Sequence, residues 1–106
     1  MLFRSITGAA IARQKECDRI NAITTELKKM GADITETTDG LIIKQSQLHG
    51  TTVNTYNDHR MVMSLFVAGL EATGETIIKN TDSITKSYKS FFADMDDLGC
   101  TMELIA

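Results

Sequence analysis

Two stretches of this chain follow one pattern, and the pattern limits what the chain can fold into. Leu27-Lys28-Lys29-Met30-Gly31-Ala32-Asp33-Ile34 and Met95-Asp96-Asp97-Leu98-Gly99-Cys100-Thr101-Met102 each run apolar, two charges, apolar, glycine, then strand-like residues. Glycine just past a last helical turn takes the left-handed backbone that ends the helix. Each stretch therefore reads as a helix stopped into a strand. Such a unit cannot bury both faces of its helix alone, whereas stacked copies can. The expectation is an α/β (α+β) fold, with this chain a segment of a larger repeated assembly.

The other elements follow from period and punctuation. Ile20, Ile23, Leu27 and Met30 recur at helical spacing, which predicts a helix ending at Gly31. Ala32 to Thr37 and Leu41 to Lys44 flank Thr38-Asp39-Gly40, and Asp-Gly supplies the positive φ angles of a tight hairpin. Gln45 to Thr52 is polar and reads as a loop, followed by an extended piece at Val53 to Tyr56. From Met61 to Leu70 nearly every residue is apolar or small, so a helix buried on most sides is expected there. Glu75 to Lys79 reads as a strand, Tyr88, Phe91, Phe92, Met95 and Leu98 as a third amphipathic helix, and Thr101 to Leu104 as a last strand. Residues 1–12 read as a leader without an assigned element.

With 106 residues, 42% of them hydrophobic, the chain fits one small domain or a piece of a larger one. A net charge of -3 argues against tracking a nucleic-acid backbone, which requires a basic stripe. Any anion must be met locally. Cys17 and Cys100 stand far apart without CxxC spacing, which points to neither a zinc site nor a disulfide framework. No apolar run approaches the roughly 20 residues of a membrane span, and the start lacks a signal-peptide core. A soluble cytoplasmic protein is expected.

The unusual chemistry lies at the helix starts. Lys15 and Arg19 bracket the first, near Cys17 or Asp18; Arg60 lies in the first turn of the second, after Asn57 or Asp58; Lys86 follows Ser83 and Thr85 at the expected third. Asn, Asp, Ser and Thr all cap helices well. A cation at the positive end of a helix dipole is mildly unfavourable, by a few tenths to about 1 kcal/mol. Taken singly, each is the kind of solvated charge that most surfaces carry, and Asp18 and Asp58 could offset them. Repeated, they suggest a bound anion that makes helix ends and cations cooperate. Glu16 lies between Lys15 and Arg19: it is either an ion-pair partner or a carboxylate held ionised for proton transfer. His59 reads as an orienting residue, His49 as a loop residue, and Tyr56 and Tyr88 as packing.

Lys15-Glu16-Cys17-Asp18-Arg19, then Thr55-Tyr56-Asn57-Asp58-His59-Arg60-Met61, then Thr85-Lys86-Ser87-Tyr88 before Phe91-Phe92 resemble the 5-enolpyruvylshikimate-3-phosphate synthase family in order and spacing. The likeness runs from about Arg13 to Gly99, and Asn-Asp-His-Arg-Met after a strand is its most specific part. It implies that the chain is a C-terminal part of a two-domain enzyme built of βαβαββ units, with one unit over 13–80 and a partial one over 81–106. It implies phosphoenolpyruvate binding by Arg19, Arg60 and Lys86, shikimate 3-phosphate contact by Lys15, and proton transfer by Glu16. The family reaction moves the enolpyruvyl group to the 5-hydroxyl of shikimate 3-phosphate, through a tetrahedral intermediate and with loss of phosphate, using no metal or organic cofactor.

Two departures leave the implied contacts alone: Cys17 stands where the family usually has Ser or Thr, and Lys89 replaces an expected proline. The family's N-terminal lysine, phosphate-binding serines and catalytic aspartate have no counterpart here, so the isolated chain is expected to be inactive. The UDP-N-acetylglucosamine enolpyruvyltransferase family, which shares fold and chemistry, is the near alternative. A non-catalytic fragment that self-associates through Met61 to Leu70 is the alternative of another class.

Overall fold

The computed structural model describes residues 3–15, 17–86 and 88–102, with Phe3, Arg4 and Lys86 described by their backbone alone. The elements in chain order are β1 (Phe3–Ile6), a 3-10 segment (Ala10–Gln14), α1 (Arg19–Lys29), β2 (Asp33–Thr37) and β3 (Gly40–Lys44). After them come β4 (Thr52–Asn54), α2 (His59–Glu71), β5 (Ile77–Lys79), a second 3-10 segment (Thr81–Lys86) and α3 (Phe91–Asp97). This is the mixed α/β architecture expected of a partial domain.

The two copies of the repeated pattern end their helices in the same way. Gly31 (φ 93°) and Gly99 (φ 95°) are both left-handed. Ala32 N–H returns to Leu27 C=O at 3.0 Å and Gly31 N–H to Lys28 C=O at 3.0 Å; Cys100 N–H returns to Met95 C=O at 3.1 Å and Gly99 N–H to Asp96 C=O at 2.9 Å. Both are Schellman motifs, in which glycine lets the chain satisfy carbonyls that the helix leaves unpaired. After Gly31 the chain enters β2 as expected. After Gly99, Thr101 and Met102 stand outside any strand, and the rest of the last expected strand lies outside the described residues.

A hairpin joins β2 and β3 in antiparallel register, with Ile34 opposite Ile43 and Thr37 opposite Gly40. Its loop is Thr38-Asp39, and the positive φ angles expected of Asp-Gly are absent; Gly40 instead gives room to β1, since a Cβ there would run into the Ile6 carbonyl oxygen. The other edge of β3 is taken by β1, Ile6 opposite Leu41, a strand that the sequence pattern does not mark. Four residues with no apolar alternation leave no period to read. Arg13 ties the 3-10 segment to this hairpin: its guanidinium donates to the carbonyls of Thr38 (3.0 Å) and Thr37 (2.6 Å) and pairs with Asp18 (2.8 Å) and Glu36 (2.5 Å).

β4, α2 and β5 form a βαβ crossover, with Thr52 beside Ile77 and Asn54 beside Lys79 in parallel register. The extended piece stops at Asn54, because Thr55 to Asp58 turn instead. α2 separates two apolar clusters. Met61 and Leu65 pack with Ala22, Met30 and Val53, while Val62 and Phe66 pack with Ile84 and Phe91. Phe66 meets Phe91 edge-on, with ring centroids 5.3 Å apart. The expected burial on most sides is not seen in this chain: Val67 and Leu70, three apart and so on one face, are 55% and 47% exposed. Among the described residues no helix is long and apolar enough to cross a membrane.

α1 also departs from its apparent stripe. Its buried residues are Ile20, Ala22, Thr24 and Glu26, whereas Ile23 and Leu27 are only partly buried against the core. Two polar residues sit inside because each has partners. The Thr24 hydroxyl donates to Ile20 C=O at 2.8 Å, and the Glu26 carboxylate is met by three donors described below.

Candidate functional site

α1 and α2 bring their N-termini to one concavity. Arg19 is the first residue of α1, and His59 and Arg60 are the first two of α2. With Lys15 these side chains line an open surface depression of about 280 Å³. Each helix contributes roughly half a positive charge at that end, so dipoles and side chains add to one positive field. Lys15 and Arg60 are exposed, and among the described residues neither has a carboxylate partner.

Asp58 joins the two helix ends. Its side chain is fully buried, and its carboxylate accepts from Arg19 Nε at 2.6 Å and Arg19 Nη2 at 3.1 Å. The same carboxylate caps α2 by accepting from the Arg60 backbone N–H at 3.0 Å, and it accepts from the Cys17 thiol at 3.4 Å. Burial pushes the Asp58 carboxyl up, but these donors, Arg19 foremost, outweigh it and hold the group below the usual carboxylate range. Burial, and then the hydrogen bond to Asp58, push the Cys17 thiol up to about 11. The paired donation from Arg19 is the fork geometry that fixes a guanidinium in plane. Asp58 is therefore the partner of Arg19 and not, as its place in the sequence suggests, an offset for the Arg60 side chain. Asp18 likewise pairs with Arg13, and it caps α1 by accepting from Asn21 N–H at 3.1 Å.

The turn before α2 is unusual. Tyr56 and Asn57 both have φ of 56°, and Asp58 N–H closes the turn on Thr55 C=O at 2.9 Å. A bulky residue rarely adopts that backbone, so its surroundings must hold it there. The Asn54 side-chain oxygen accepts from Tyr56 N–H at 3.0 Å and from Asn80 Nδ2 at 2.9 Å, while the Thr55 hydroxyl donates to Lys79 C=O at 2.9 Å. The Tyr56 hydroxyl donates to Glu26 at 2.7 Å. Glu26, with a fully buried side chain, also accepts from Asn54 N–H at 2.8 Å and Lys29 Nζ at 2.9 Å.

The structure thus brings Lys15, Arg19 and Arg60 together at the ends of two helices. Lys86 is placed differently. It is the last residue of the 3-10 segment Thr81–Lys86 rather than a first-turn residue of the third helix. That helix starts at Phe91, after Ser90, which makes no side-chain cap. One reason is local: Tyr88 donates its hydroxyl to Asp94 at 2.7 Å. Six residues apart in a continuous helix, those side chains would leave on different faces. Glu16 lies outside the described residues, as does the Lys86 side chain.

Glu26 and the turn it holds were not legible as site features. A signal exists, since Glu26 falls between Ile23 and Met30 in the apolar stripe of α1, where a solvated charge has no place. Among the described residues no group of three His, Cys, Asp or Glu side chains could hold a metal ion.

Residues 2–95 match the family model described as EPSP synthase (3-phosphoshikimate 1-carboxyvinyltransferase). The chain belongs to the EPSP synthase family. Among similar EPSP synthase family proteins, the 3-phosphoshikimate 1-carboxyvinyltransferase of Thermoanaerobacter pseudethanolicus is 54% identical over 94 residues, 88% of this chain and 22% of that protein. That of Ruminiclostridium cellulolyticum is 49% identical over 94 residues, 89% of this chain and 22% of its own length. The EPSP synthase structure from Acinetobacter baumannii superposes with a TM-score of 0.92 at 34% identity, over 98% of this chain and 25% of that one. The EPSP synthase match takes in β1, which precedes the motifs that carried the resemblance. The chain spans only about a fifth to a quarter of its relatives' length, 22% of these curated proteins.

Proposed function

We propose that this chain supplies the phosphoenolpyruvate-holding part of a 3-phosphoshikimate 1-carboxyvinyltransferase. The observation that carries the reading is the convergence of the α1 and α2 N-termini on one depression lined by Lys15, Arg19, His59 and Arg60. Arg19 and Arg60, with Lys86 from the 3-10 segment, take the carboxylate and phosphate of phosphoenolpyruvate. Lys15 contacts shikimate 3-phosphate, and Glu16 moves a proton at the enolpyruvyl methylene.

The chemistry requires this kind of site. The 5-hydroxyl of shikimate 3-phosphate gives up its proton as its oxygen bonds to C2 of phosphoenolpyruvate, while C3 gains a proton. The resulting tetrahedral adduct then loses that proton equivalent from C3 as the C–O bond to phosphate breaks. Charge moves onto carboxylate and departing phosphate, and fixed cations at helix ends stabilise it without reorganising. Arg offers a planar fork to carboxylate or phosphate, and Lys a compact point charge. No metal or organic cofactor enters this scheme.

The remainder of such an enzyme is the partner the reading requires, in the cytoplasm, and the unit boundary near residue 80 belongs to the same proposal. The left-handed Asn80 (φ 60°) after β5 supports a break there. Phosphate release with both substrates tests the reading. The chain alone should give no turnover. Combined with a family enzyme lacking the segment that matches residues 2–95, it should restore turnover, and Arg60→Ala should abolish it. No restoration in the combination counts against the proposal, as does turnover by the chain alone. Competition between shikimate 3-phosphate and UDP-N-acetylglucosamine in the same mixture separates the two enolpyruvyl transferases, and the match over residues 2–95 favours the former.

A second reading applies to the chain in isolation: self-association through the exposed Val67 and Leu70 of α2. Sedimentation equilibrium should show concentration-dependent association that Val67→Glu with Leu70→Glu removes. A monomer at all micromolar concentrations contradicts it.

A further inference from the structure

α1 touches the turn that starts α2 at two points, and only one of them belongs to the anion site. Arg19 holds Asp58 at the far end of the turn. Glu26, seven residues later, receives the Tyr56 hydroxyl at the near end. Seven residues are close to two helical turns, so both side chains leave one face of α1, about 10 Å apart along its axis. Between these anchors lie Tyr56 and Asn57, both at φ 56°.

We propose that Glu26 is a positioning residue for the anion site: by holding the Tyr56 hydroxyl and the Asn54 N–H, it fixes the left-handed turn that sets Asp58 under Arg19 and Arg60 beside them. Three observations carry this. The Glu26 side chain is fully buried, which is costly for a carboxylate unless its oxygens are met. Its donors hold the entry to the turn, Asn54 N–H at 2.8 Å just before Thr55 and Tyr56 Oη at 2.7 Å just after it. The backbone at the anchored Tyr56, φ 56°, is one that a tyrosine rarely adopts unaided.

Without Glu26, Tyr56 loses its anchor and can relax toward negative φ. That would rotate Asp58 away from the Arg19 fork and tilt the first turn of α2. The carboxylate does this from two turns down the helix without lining the depression, whose described walls are Lys15, Arg19, His59 and Arg60. The role rests on the anion-site reading given above, but the turn itself can be tested without any ligand.

The test is amide hydrogen exchange on the intact chain, wild type against Tyr56→Phe and Glu26→Gln. Tyr56→Phe keeps the ring and removes only the hydroxyl, so the fold should survive. Exchange at the amides of Asp58, bonded to Thr55 C=O, and Val62, bonded to Asp58 C=O, should rise at least ten-fold. Exchange at Leu65 and Phe66, within the same helix, should stay within two-fold. Glu26→Gln should reproduce the pattern if it folds. Phosphoenolpyruvate affinity, read by amide shifts of Arg19 and Arg60, should fall five-fold or more in Tyr56→Phe.

Equal change at all four amides, or none, overturns the positioning role by showing a global effect or no effect. Selective exchange with unchanged phosphoenolpyruvate affinity also overturns it. If wild type binds no phosphoenolpyruvate, the anion-site reading fails, while the exchange pattern still decides whether Glu26 holds the turn.

Discussion

Arg19 and Asp58, 39 residues apart in sequence, meet through two hydrogen bonds of 2.6 and 3.1 Å that join the first residue of α1 to the N-cap of α2. Two helix ends that could each hold an anion are thereby fixed relative to one another. The pair also explains how an arginine is tolerated at the positive end of a helix. Its charge is met by Asp58 of the neighbouring helix.

Removing the Asp58 carboxylate should therefore cost more than a cap. Truncating one partner of a buried ion pair typically costs about 3–5 kcal/mol, and Asp58→Ala should fall in that range by urea unfolding. Asp58→Asn keeps an acceptor for the Arg60 N–H and should cost about 1.5–3 kcal/mol, as for a hydrogen bond to a charged group.

Acid should expose the same contacts. Burial raises both Asp58 and Glu26, but hydrogen bonds outweigh it: from Arg19 first for Asp58, from Asn54 N–H first for Glu26. Both carboxyls are therefore more acidic folded than unfolded, where they titrate near about 4. The stability they add is present above that pH and is lost as pH falls through their lower folded values. Thermal midpoints should be flat from about pH 7 to 5 and fall below about 4. Asp58→Asn and Glu26→Gln should each shallow that fall.

Cys17 reports on the Asp58 contact from another side. With the thiol pushed up to about 11, by burial and then by Asp58, only about one molecule in a thousand carries the reactive thiolate at pH 8. In a Cys100→Ser background, iodoacetamide should alkylate Cys17 slowly. Asp58→Asn should speed the reaction several-fold.

Much of this fold was legible because local chemistry decides it. Gly31 and Gly99 stop helices as glycines do. The hairpin between β2 and β3 was expected too, although it turns through Thr38-Asp39 without the positive φ angles that Asp-Gly predicts. Arg19 and Arg60 stand at helix starts, where the Asp18 and Asp58 caps put them. What was not legible depends on contacts between distant residues. β1 is a strand because β3 offers it an edge. Asp58 serves Arg19 rather than Arg60 because the two helices meet. The helix expected from Ser83 breaks because Tyr88 folds back to Asp94. Glu26 is inside because Asn54, Tyr56 and Lys29 come to it.

The paired glycines offer a direct comparison. Each is left-handed, so a side chain at either costs about 1–2 kcal/mol. A Cβ at Gly99 meets nothing within 4 Å, whereas one at Gly31 comes within 2.9 Å of the His49 ring. Gly31→Ala should therefore destabilise more than Gly99→Ala in chemical denaturation. Adding His49→Ala to Gly31→Ala should recover part of the difference.

The central claim is that the helix ends carrying Arg19 and Arg60 form one site for phosphoenolpyruvate. Titrating the labelled chain with phosphoenolpyruvate and following its amide resonances tests this most directly. The account predicts saturable shifts centred on Lys15, Arg19, His59 and Arg60, with a Kd on the order of 1 mM for so open a site and at least ten-fold weakening in Arg60→Ala. Shifts that do not saturate, that centre elsewhere, or that survive Arg60→Ala unchanged would contradict it.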